Sequence, residues 1–186
     1  MPIASHQHSE YYKALDTILR KYNAAGFTIT VIECNREYEV MMDVMKDELH
    51  VTMNYTNAQD HVPKAERNNC MLKERIRMAF HHLPYKAIPQ VMIRYLAMES
   101  ARKLNLFPAK GGISAYYSPQ TILTHEVLNY NKHCTKPFGM YVQASQENDP
   151  TNMNVERMLD AIYLKPNTNK QSSHILMDLH TGEAIT

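Results

Sequence analysis

Helical and extended hydrophobic patterns alternate along the first hundred residues, and this order constrains the fold more than any other feature. Apolar residues at helical spacing predict a first helix from Tyr11 to Tyr22, which Gly26 ends as a left-handed cap. The β-branched and aromatic run over 27–32 predicts a buried strand. The pattern then predicts a second helix and a strand over 51–55, followed by helices over about 63–82 and 88–104. The inner face of the second helix is expected to comprise Val40, Met41, Val44, Met45 and Leu49. This α-β-α-β-α order predicts a parallel sheet with helices packed against it.

Helical periodicity is lost after Leu123, and short strand patterns replace it. They lie over 139–144, 159–164, 175–179 and 184–186, with a turn at 180–182. We interpret this region as a small β-module separate from the helical part.

Composition bounds the class of protein. The chain has 186 residues, a hydrophobic fraction of 44% and a mean hydropathy of -0.46, which is typical of a soluble protein. No apolar run is long enough to span a bilayer, so no membrane partner is expected. Its three scattered cysteines predict reduced thiols in an intracellular protein, and no histidine lies at a zinc-like spacing from a cysteine.

The net charge is only +1, but the middle of the chain is locally basic. Pro63 suits the first position of a helix, and Glu66 falls in its first turn, near the positive end of the helix dipole. The candidate DNA-binding residues on this helix are Lys64, Arg67, Lys73 and Arg77. One interpretation is a metal ligand, Glu66, beside a phosphate backbone. The simpler alternative is dipole compensation by Glu66 and cations that only face water.

Several segments together resemble a known family. They are Asn57–Asn69, Leu72–Arg77, Leu83–Pro89, Asn105–Pro108, Gly111–Ser114, Asn129–Cys134, Phe138–Val142, Leu159–Leu164 and Met177–Gly182. The chain is similar to the C-terminal part of the integrase core of copia-type LTR retrotransposon polyproteins, with the small β-barrel that follows it. The resemblance implies an α/β fold: an incomplete ribonuclease-H-like core over 10–124 and a small, truncated β-barrel module over 125–186.

The resemblance also implies a chemistry. Glu66 matches the last acid of an Asp-Asp-Glu triad, which holds two divalent metals, Mg or Mn, for strand transfer to DNA. The expected partner is therefore DNA and the expected location is the nucleus if the chain is functional. Assembly into a homo-oligomer is left open.

The sequence departs from the family at the second acid. Asn35 stands at that position, and a neutral amide supplies no charge to a magnesium site. Arg36 adds a cation beside it. The first aspartate is expected upstream of this chain, while Glu33 and Glu37 are the nearby acids that could substitute. We therefore expect a catalytically inactive fragment that retains nucleic-acid binding. The alternative is a non-enzymatic module whose basic helix binds protein or RNA.

Other motifs receive short interpretations. Tyr116-Tyr117 could stack on bases, although core packing is favoured. Cys70 is expected to be a packed side chain rather than a nucleophile, and His81-His82 is expected to cap its helix rather than bind metal. The run from Lys110 to Gly112 is expected to be a loop.

Overall fold

The structure is a computed structural model that describes residues 7–56, 62–145, 157–167 and 173–186; the side chains of 132 and 133 are not described. The chain divides into two compact units. One comprises Met1–Met71 and Ile122–His125, and the other comprises Leu72–Thr121 and Glu126–Thr186. The part of the family resemblance that covers Asn57–His61 lies outside the described residues.

The first unit contains the predicted parallel sheet. Two strands, β1 (Val31–Cys34) and β2 (Thr52–Tyr55), pair in parallel from Val31↔Thr52 to Cys34↔Tyr55. Its helices are α1 (His8–Ala24), a 3₁₀ helix (Arg36–Met41), α2 (Met42–Leu49) and the first half of α3 (Pro63–His81). The prediction of a parallel pair is confirmed.

The end of α1 confirms the cap predicted at Gly26. Gly26 has φ +81° and donates its N–H to the Asn23 carbonyl at 3.0 Å, while Phe27 N–H bonds the Tyr22 carbonyl at 2.9 Å. These two bonds form a Schellman motif, which satisfies carbonyls that the helix leaves without partners. The rings of Tyr22 and Phe27 meet edge-on at 6.2 Å. Phe27 therefore closes the helix instead of starting the strand.

Two details of the first unit were predicted wrongly. The strand begins at Val31 rather than Phe27, and Val31 is half exposed. Val40 is 72% exposed and Val44 is also exposed, whereas Met41 and Met45 are buried. The prediction assumed 3.6 residues per turn throughout, but the segment begins as a 3₁₀ helix with about three residues per turn. The buried face is therefore narrower, and it forms a core with Leu19, Val51 and Met53.

The second unit combines helices with an antiparallel sheet. Its helices are the second half of α3, α4 (Gln90–Leu104) and α6 (Tyr130–His133), and α5 (Pro119–Thr124) begins in it. The strands β3 (Tyr141–Ser145), β4 (Met158–Pro166), β5 (His174–Asp178) and β6 (Ala184–Ile185) pair in the order β3-β4-β5-β6. Met92 and Leu96 of α4 form a core with Phe138, Ile162, Leu164 and Met177.

The predicted β-barrel is not observed. The four described strands form an open sheet, because β3 and β6 lie at opposite edges and do not pair. A strand of two residues such as β6 cannot supply the ladder that closure requires. The sheet packs instead against α4 and against Ile76 and Phe80 of α3. The domain division after residue 124 stays a prediction.

Candidate functional site

The first unit holds a cavity of about 320 Å³ beside the end of β1. α1 contributes apolar side chains such as Leu15 and Ile18, and the end of β1 contributes Glu33 and Asn35. The start of α3 contributes Ala65 together with Val62, the residue before the helix. An apolar wall thus meets two polar side chains where the strand ends.

Asn35 sits at the turn from β1 into the 3₁₀ helix. Its backbone is extended, with φ -79° and ψ 160°, and its carbonyl accepts the N–H of Tyr38 at 3.1 Å. Glu33 and Asn35 are two residues apart, a spacing that places side chains on one face of an extended chain. Both residues line the cavity, as do Ile32 and Cys34 before and between them, so the shared face stays a prediction from the spacing.

Glu66 lies on the first turn of α3 and is exposed. Its backbone N–H bonds the Val62 carbonyl at 3.0 Å, so the helix is formed from its start. Ala65, the residue before it, lines the cavity with Asn35, but Glu66 does not. Consecutive residues project about 100° apart around a helix, which accounts for the difference.

The donors around this cavity do not fit the metal site that the resemblance implies. Magnesium prefers several oxygen ligands, with carboxylates supplying the charge. Among the described residues that line it, the cavity offers one carboxylate, Glu33, and one amide, Asn35. Over the described ranges, no group of three histidine, cysteine, aspartate or glutamate side chains is placed to hold a metal.

Two ionisable groups in the cavity wall have a raised pKa. Burial raises the pKa of the Cys34 thiol. Burial also raises the pKa of Tyr38, and the nearby charge of Glu37 raises it further. The ring of Tyr38 meets that of Tyr11 edge-on at 5.2 Å. The raised pKa of Cys34 favours the thiol form over a reactive thiolate.

The four predicted DNA-binding residues are all on the surface of α3. Lys64 and Arg67 are exposed in the part that belongs to the first unit. Lys73 and Arg77 are exposed in the part that belongs to the second unit, where Ile76 packs against the core. Lys73 and Arg77 are four residues apart and share one side of the helix. The helix has no fully buried residue.

Four other interpretations concern residues outside the cavity. His82 caps α3 as predicted, because its Nδ1–H donates to the Met78 carbonyl at 2.8 Å. Cys70 is exposed, so the expectation of a packed side chain was wrong. Tyr116 and Tyr117 are 90% and 60% exposed, so the expectation of core packing was also wrong. The run from Lys110 to Gly112 is a loop, as expected.

The sequence analysis missed a buried ion pair in the second unit. Glu99 is 2% exposed, and Arg102 donates to both of its carboxylate oxygens at 2.7 Å. The spacing of three residues on a helix could have predicted that Glu99 and Arg102 pair, but nothing in the sequence showed that the pair is buried.

Comparison with protein-family models, curated proteins and solved structures finds no significant match to this chain. Among the helices in the described ranges, none combines the length and the apolar character that crossing a bilayer requires.

Proposed function

We propose that the chain is an integrase-derived fragment that binds duplex DNA through the exposed cations of α3 and does not catalyse strand transfer. The observation that carries the proposal is the exposure of Lys64, Arg67, Lys73 and Arg77 on one helix. Cations on a helix surface neutralise phosphates and release counterions, and this contribution does not depend on base sequence.

The arrangement of the first unit supports the proposed origin. Helix α1 precedes β1, and β2 pairs in parallel with β1 before α3 begins. This order agrees with the end of a ribonuclease-H-like core, in which the last acid is carried by the helix after such a strand. In the second unit, the open antiparallel sheet occupies the sequence positions of the family's small β-barrel.

The absence of catalysis is proposed from the residue at the end of β1. Asn35 supplies no negative charge where the family has an acid, and the adjacent Arg36 is a cation paired with Glu39 at 3.2 Å. Glu66 is exposed and does not line the cavity that Asn35 lines. A site with fewer charged ligands binds magnesium more weakly.

Binding of a labelled duplex at several salt concentrations tests the DNA interaction. We expect K73A and R77A each to lower the slope of log affinity against log salt by about 1, and to weaken binding equally for unrelated duplexes. The matched control is K46A, which removes the same charge from the acidic helix α2. Unchanged affinity in both α3 variants, or an equal loss in the control, would overturn the proposed surface.

A strand-transfer assay with Mg or Mn tests the proposed inactivity. We expect no joined product from the wild-type chain. Joined product that disappears in E66A would overturn this part of the proposal and leave the DNA-binding part standing.

The second candidate function is a non-enzymatic module that binds a protein or RNA. The apolar wall formed by Leu15, Ile18 and Val62 favours a protein contact. Its binding would change little as salt rises, whereas binding to phosphates weakens steeply. A direct competition experiment between RNA and duplex DNA would show whether RNA is the preferred ligand.

A further inference from the structure

The connection between α4 and α5 presents aromatic side chains to solvent. Tyr116 is 90% exposed and Tyr117 is 60% exposed. Large apolar side chains placed together on a surface mark an interaction site more often than chance exposure.

The conformation of this connection is fixed by specific contacts. Gln120 N–H bonds the Asn105 carbonyl at 3.0 Å and so ties its two ends together. Leu106, near the start of the connection, is fully buried. The Ser114 hydroxyl oxygen accepts the backbone N–H groups of Tyr116 and Tyr117 at 3.1 and 3.0 Å. The tyrosines are therefore held outward by an ordered loop, which lowers the entropy cost of binding through them.

The charge of the segment indicates the class of partner. Residues 101–125 include Arg102, Lys103 and Lys110 but no aspartate or glutamate. Arg102 is committed to the buried Glu99, whereas Lys103 is about half exposed and Lys110 is exposed. The segment that carries the tyrosines is thus net positive, a charge complementary to that of a polyanion.

We propose that Tyr116 and Tyr117 stack on the unpaired bases of a single-stranded nucleic acid whose phosphates contact Lys110. Tyrosine rings beside cations form a stacking platform, and stacking is tolerant of sequence because every base has a π-face. Bases within a duplex are already stacked on each other and are not available to these rings. The surface uses none of the α3 residues proposed for duplex binding, so the two proposals can fail separately.

Fluorescence anisotropy with a labelled oligothymidine of about 12 nucleotides tests the proposal on the full chain. We expect Y116A and Y117A each to weaken oligothymidine binding by about 10-fold, the change given by the loss of one stacked base. Y116F and Y117F, which keep the rings, should retain binding. The matched control is I113A, which removes an equally exposed aliphatic side chain and should leave binding unchanged.

A parallel titration with a duplex of the same length distinguishes stacking on unpaired bases from binding to duplex DNA. We expect Y116A to leave duplex affinity unchanged, while K110A lowers the salt dependence of oligothymidine binding. Absence of oligothymidine binding by the wild-type chain would overturn the proposal, as would an equal loss in I113A. Loss of self-association in Y116A with unchanged oligothymidine binding would also overturn it and would assign the surface to a second copy of the chain.

Discussion

Arg102 holds the buried carboxylate of Glu99 through two hydrogen bonds on one side of α4. Its Nε donates to Oε2 and its Nη2 donates to Oε1, each at 2.7 Å. Burial opposes the charge of Arg102, but the hydrogen bonds and the charge of Glu99 outweigh it and raise the pKa of the guanidinium. Lys103 lies farther away, with its Nζ 3.9 Å from the same carboxylate.

Removal of Arg102 should therefore destabilise the second unit. R102A leaves a buried carboxylate without its principal partner, and we expect the free energy of unfolding to fall by about 3 kcal/mol. K103A removes a distant and half-exposed partner and should cost less than about 1 kcal/mol. Urea denaturation measures both. Equal losses in the two variants would contradict the assignment of Arg102 as the main partner.

Tyr163 should make the fold sensitive to alkali. It is 2% exposed, and its burial, reinforced by the charge of Glu99, raises its pKa to about 12. The unfolded chain loses this proton near pH 10, so the folded state binds more protons between about pH 10 and 12. Stability contributed by the neutral phenol is thus present below pH 10 and falls as pH rises through this window. Urea midpoints across the window should fall less steeply in Y163F than in the wild-type chain.

Gly139 is required by both its conformation and its neighbour. Its φ is +83°, and a Cβ built there would lie 2.5 Å from Cδ2 of Leu83. Its N–H bonds the Tyr163 carbonyl at 2.9 Å, so the backbone cannot move away without losing a contact to β4. Leu83 packs against the core of the second unit, so its side chain cannot turn away from an added Cβ without losing contacts there. We therefore expect G139A to lower the free energy of unfolding somewhat more than the roughly 1–2 kcal/mol that a left-handed conformation alone costs.

The control for this prediction is Gly182, which has φ +73° and no atom within 4 Å of an added Cβ. G182A should show the conformational cost alone. Truncation of the neighbour in the double variant G139A/L83A should recover part of the steric cost relative to the sum of the single variants. Equal losses in G139A and G182A would show that Leu83 does not contribute.

Local signals explain how far the fold could be predicted. The helical stripe of α1 and the glycine after it determine both the helix and its end, because each acts within a few residues. The parallel pairing of β1 and β2 followed from the order of elements. Phe27 shows the limit of such reasoning: its residue type favours a strand, but its backbone and ring complete the cap of α1.

The candidate sites were less predictable because exposure depends on packing between distant segments. The prediction that Glu33 and Asn35 share a face rests on their spacing alone. Burial of Glu99 requires α4 to pack against β4, which no local pattern specifies. Tyr116 was expected in the core because aromatic residues usually pack there, yet the hydrogen bonds of Ser114 orient this part of the loop outward.

His174 should make the fold sensitive to acid. Its ring meets Tyr163 edge-on at 5.4 Å, and its Nδ1 is buried without a hydrogen-bond partner among the described residues. Burial lowers its pKa, and the charge of Lys136 lowers it further. The unfolded chain therefore binds the proton first as pH falls, so stability decreases from about pH 6.5 downward, through the folded-state pKa.

Two variants isolate this effect in urea denaturation at a series of pH values. H174F keeps the ring against Tyr163 and removes the titration, so its stability should fall less between about pH 7 and 5 than that of the wild-type chain. K136Q removes the repulsive charge near His174. The loss of stability at low pH should therefore be smaller than in the wild-type chain but should still occur. The same exchange at exposed His8 in α1, H8F, should preserve the wild-type pH dependence. If H8F and H174F change the pH profile equally, the acid sensitivity does not arise from the buried ring of His174.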